Sequence, residues 1–63
     1  MRSPLRIGPF LKAVEAVWAE HPDMRFGQLI QNISGNEDTW EWEDSRWYTA
    51  IEEFRAKMQE TST

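Results

Sequence analysis

A chain of 63 residues with a net charge of −4 has room for one small domain, residues 1–63, and little more. A domain this size buries only about 60% of the surface its unfolded chain exposes, so it needs extra stabilisation. With no cysteine and one histidine, disulfides are excluded and a zinc site is not expected, so no metal or cofactor is assigned. That leaves aromatic packing, for which four tryptophans and three phenylalanines are available, and self-association, with a homodimer placed just ahead of a monomer.

The acidic balance argues against nonspecific binding to a phosphate backbone, and no apolar run is long enough to span a bilayer. The absence of cysteine fits a cytoplasmic setting.

In chain order, Ser3-Pro4 has the chemistry of a helical start, but Pro9 is expected to interrupt it. This predicts an arm over residues 1–8, with Leu5 and Ile7 tucked against the core, followed by a helix from Pro9 to Glu20. Along that helix Phe10, Leu11, Val14, Val17 and Trp18 recur at the spacing of one apolar face, with Lys12, Glu15 and Ala19 on the other side. His21-Pro22 ends it, since the residue before proline is steered from the helical region. His21 reads as a helix-end residue, not a catalytic base.

Asp23 then caps a second helix carrying Phe26, Leu29, Ile30 and Ile33 on its apolar stripe. Gly27 inside it implies close packing against the first helix or a second copy. Ser34-Gly35-Asn36 supplies the stop. Next, Thr39-Trp40-Glu41-Trp42-Glu43 alternates with period two, which predicts a short extended piece with both tryptophans on one side. Such a piece either packs as a loop or pairs with the same segment of another copy.

Asp44 caps a third helix over Ser45 to about Gln59, with Trp47, Ile51, Phe54 and Met58 inward and Tyr48 and Ala50 at the edges. Glu53 and Lys57 stand at a favourable i, i+4 spacing. The tail 60–63 is expected to fray. The fold class is therefore all-α, three short helices with an extended Trp-rich segment between the second and third.

The residues Trp18, Pro22-Asp23-Met24-Arg25-Phe26-Gly27-Gln28-Leu29, Asn32 and Trp40-Glu41-Trp42-Glu43-Asp44 resemble the pattern of a widespread group of small bacterial and phage proteins. That pattern runs Trp, Pro-Asp-aliphatic-Arg-aliphatic-Gly-Gln-Leu, Asn, then an aromatic segment ending in Glu-Asp, and here it covers about half the chain. Met24, Phe26 and Trp42 depart from it where smaller aliphatics are common. The resemblance implies a compact helical unit of mobile and phage genomes; it implies no activity.

Physically, the same residues suggest a polar knot of Asp23, Arg25, Gln28, Asn32, Glu43 and Asp44. In it the Arg25 fork reaches Glu43 or Asp44, while Gln28 and Asn32 hold the aromatic segment.

No nucleophile elbow, phosphate loop or calcium loop is present, and Glu41, Glu43 and Asp44 read as capping and solvated charge, so a non-enzymatic protein is expected. The excess of aromatics favours protein binding, with Trp40, Trp42, Tyr48 and Arg25 as contact residues. The two segment tryptophans are equally compatible with a place over the core. On this reading the protein is an interaction module, with a phage-encoded inhibitor of a host or defence protein as its sharpest form. A nucleic-acid-associated accessory protein reading through Arg25, Gln28, Gln31 and Asn32, or a protein whose partner is only itself, are the alternatives.

Overall fold

The computed structural model describes residues 2–61, with side chains through Gln59. It is all-α: a 3-10 turn over Pro4–Arg6 leads into α1 (Ile7–Ala19), followed by α2 (Phe26–Ser34) and α3 (Asp44–Thr61). Helices α1 and α2 each pack on α3 and scarcely on each other. The longest helix is thus a common spine. No helix among the described residues is long and apolar enough to cross a membrane.

The chain enters as its first residues dictate. The Ser3 hydroxyl accepts from the Leu5 amide at 3.1 Å, and Pro4 occupies the first position of the 3-10 turn. The expected break at Pro9 does not occur. Pro9 is the third residue of α1, within the first turn, where backbone amides have no intrahelical partner to lose. Nor does the arm tuck inward: Leu5 is 84% exposed and Ile7 45%.

The core is small. Val17 of α1, Leu29 and Ile33 of α2, and Ala50, Ile51 and Phe54 of α3 are buried. Val14, Trp18, Met24, Trp42, Trp47 and Met58 pack around them. The helical stripes stand in part. Ala50 belongs to the core itself, Leu11 and Phe26 are exposed, and Phe10 and Ile30 are half-buried without joining the core cluster.

The turn between α1 and α2 is held by the Trp18 indole, whose Nε1–H donates to the Met24 carbonyl at 2.8 Å. The His21 amide donates to the Trp18 carbonyl at 2.8 Å, and its ring meets Phe54 edge-on. Asp23 lies within this turn and does not cap α2. The N-cap is Arg25, in extended conformation, and the Gln28 Oε1 reaches back to accept its amide at 2.9 Å. This is the return half of a capping box; arginine has no acceptor with which to complete it.

Gly27, the second residue of α2, has open space where a Cβ would stand, so no close packing explains it. At the other end Gly35 closes α2 at φ +66°, in the left-handed region, and Asn36 follows at φ +70°. The Gly35 amide donates to the Gln31 carbonyl at 2.9 Å.

Asp44 is the first residue of α3 rather than its cap, and the helix continues past Gln59 to Thr61. The remainder of the tail expected to fray lies outside the described residues. Glu53 stands 4.0 Å from Arg46 on the preceding turns, not in an ion pair with Lys57.

Candidate protein-interaction site

The segment between α2 and α3 is a turn, not an extended strand. The Asp38 carboxylate accepts from the Trp40 amide at 3.0 Å, and the Trp42 amide donates to the Thr39 carbonyl at 3.0 Å. An aspartate that hydrogen-bonds the backbone two residues on folds the chain back on itself. That local bond overrides the period-two pattern. It sends the two tryptophans to different places: Trp40 is 90% exposed, while Trp42 is half-buried against the core.

Trp42 packs edge-on against Trp47 of α3, with ring centroids 4.8 Å apart. The Arg46 guanidinium lies over that indole, 4.2 Å from the ring centroid, and stands 3.7 Å from Glu37. Stacking and charge together fasten the turn to α3 through Arg46. The cation–π part is worth about 0.5–1 kcal/mol at a partly exposed site. The result is a protruding indole on an anchored base, flanked by the exposed acids Glu37, Asp38 and Glu41.

The polar knot expected around Arg25 does not form. Arg25 is exposed and pairs with neither Glu43 nor Asp44. Those carboxylates are taken by the N-terminal segment. Arg2 pairs with Glu43, and the Arg6 NH1 group donates to both Asp44 oxygens at 2.9 and 3.1 Å. Gln28 and Asn32 serve their own helix; the Asn32 amide donates to the Gln28 carbonyl at 2.7 Å. Asp23 takes no part.

Of the four expected contact residues, Trp40 and Arg25 are open to solvent. Tyr48 is 38% exposed, with its ring edge-on to Phe10 at 5.5 Å, and Trp42 is half-buried against the core. Arg46, Arg2 and Arg6 are the polar anchors that sequence reasoning missed. Trp42 lies ahead of α3, so no helical spacing ties Arg46 to it.

Comparison with protein-family models, with curated proteins and with solved structures finds no match to this chain.

Proposed function

We propose that this protein is a small, non-enzymatic protein-binding module that presents Trp40 to a partner. The exposure of Trp40 carries the reading. A free tryptophan side chain leaves on the order of 200 Å² in water, and burying it is worth roughly 4 kcal/mol before ordering costs. Trp40 is 90% exposed on a backbone held by Asp38, so its point of attachment is set before docking while its side-chain rotamer is ordered on binding. Acids on both sides fit a partner whose apolar pocket is rimmed by lysine or arginine.

Resting on the resemblance of the Trp18 to Asp44 pattern to that of small phage and bacterial proteins, the sharper form of the proposal is an inhibitor that engages a host or defence protein in the bacterial cytoplasm.

The test is capture from bacterial lysate by the immobilised full chain beside its Trp40→Ala variant. The variant is expected to retain the helical spectrum and melting temperature of the wild type and to lose the captured protein. Capture of the same protein by both would overturn the assignment.

A further inference from the structure

Helix α1 carries two adjoining apolar arcs. At 100° per residue, Phe10, Val14 and Val17 share one arc, and Ile7, Leu11 and Trp18 fall within roughly 40° of each other on the next. The first arc is occupied: Val17 is fully buried, Val14 packs on the core and Phe10 meets Tyr48. The second is covered only in part: Trp18 packs on the core, while Ile7 is 45% exposed. Leu11 is 57% exposed, and Phe26, which stacks on Trp18 at 5.4 Å, extends the apolar surface into α2. Leu11, Val14, Glu15, Trp18, Ala19 and Pro22 line a shallow groove of ≈580 Å³ along this face. Because α1 and α2 pack on α3 and scarcely on each other, no described helix covers it.

We propose that a second copy of this chain covers the groove, α1 against α1, antiparallel, with the two-fold axis passing between Ala13 and Val14. The charges set this register. Lys12 and Glu15 stand one helical turn apart, Glu15 on the groove wall, and neither forms an ion pair with another described residue. The other charged residues of the helix and its flanks are engaged, Arg6 with Asp44 and Glu20 with Arg55.

An antiparallel two-fold at that point faces Lys12 with Glu15 of the second copy, and repeats the pairing by symmetry. The same register sets Leu11 level with Ala16 and Trp18 level with Pro9 of the second copy, and at 100° per residue Ala16 and Pro9 lie on the far side of their helix, away from the seam. Each large side chain thereby falls between two of its counterparts, Trp18 of the second copy between Ile7 and Leu11. Gly8 and Ala19, on the Glu15 side, present no bulk; a Cβ on Gly8 would meet nothing within 4 Å. The Trp40 turn is a poor occupant of the groove, since its acids would meet Glu15.

A single pair of short helices is a small interface, so a weak, concentration-dependent dimer is expected, dissociating on the order of 10 µM. Sedimentation velocity of the full chain, from about 1 µM to about 1 mM, should show the mass rising from 7.5 kDa toward twice that value. Leu11→Glu should remain monomeric throughout with an unchanged helical spectrum. Lys12→Glu should raise the dissociation constant about tenfold, and the exchange Lys12→Glu with Glu15→Lys should return it to within about twofold of wild type. A wild type that stays monomeric, a dimer that survives Leu11→Glu, or an exchange that fails to restore association would overturn the proposal. Trp40→Ala should dimerise as wild type does. If it alone dissociates the dimer, the α1 interface falls while Trp40 remains a contact residue.

Discussion

Two glycines at opposite ends of α2 have opposite physical standing. Gly35 sits at φ +66°, where an L side chain crowds its own backbone, and replacing it costs about 1–2 kcal/mol. Gly27 has ordinary helical geometry and open space at its Cβ position, so a methyl group there meets no neighbour and reduces the freedom of the unfolded chain. Chemical denaturation should therefore show Gly35→Ala less stable by about 1 kcal/mol or more, and Gly27→Ala more stable by about 0.5 kcal/mol. A destabilised Gly27→Ala would mean that this glycine meets something outside the chain. Trp40 belongs to the same scale. Its 90% exposure goes with a bend in which the Asp38 carboxylate accepts from the Trp40 amide.

Within the elements, the helices were legible because their information is local. Apolar spacing marks the inner faces of α1, α2 and α3, Pro22 follows the end of α1 and Gly35 closes α2, whereas the starts read at Pro9, Asp23 and Asp44 are each displaced. The polar connections were not legible. Arg6 meets Asp44 38 positions away and Arg2 meets Glu43 41 positions away, and nothing in a linear reading selects these among seven basic and eleven acidic side chains. Arg25 offered a plausible spacing to the same acids, yet its place ahead of α2 leaves it in solvent. The Trp-rich turn was misread for a related reason: alternation suggested a strand, and one side chain–backbone bond outweighed it.

Where local and tertiary signals do agree is Trp18, whose indole N–H closes the turn containing Pro22 and Asp23. Trp18→Phe keeps the ring against Phe26 and removes that bond. It should cost about 1 kcal/mol and speed amide exchange over residues 21–26; unchanged exchange there would show that the proline alone holds the turn.

For the molecule as a whole, the margin is narrow. A 63-residue domain is expected to hold roughly 3–9 kcal/mol of stability. Leu29 is fully buried, and truncating a buried leucine to alanine costs about 2–5 kcal/mol. Leu29→Ala should thus lose its cooperative melting transition or unfold near ambient temperature, as followed by circular dichroism. If the α1 surface pairs as proposed, raising the protein concentration should recover part of that loss, because association draws the folded state forward.

The spine arrangement also bears on how the chain reaches this state during synthesis. Helices α1 and α2 leave the ribosome first, and neither has much of the other to pack against. Their shared support, α3, comes last in the order of the elements. Folding therefore waits for residues 44–61 to emerge, and until then Val17 and Leu29 lie open to whatever the nascent chain meets. A pause or truncation ahead of α3 should yield a sticky fragment instead of a partial domain.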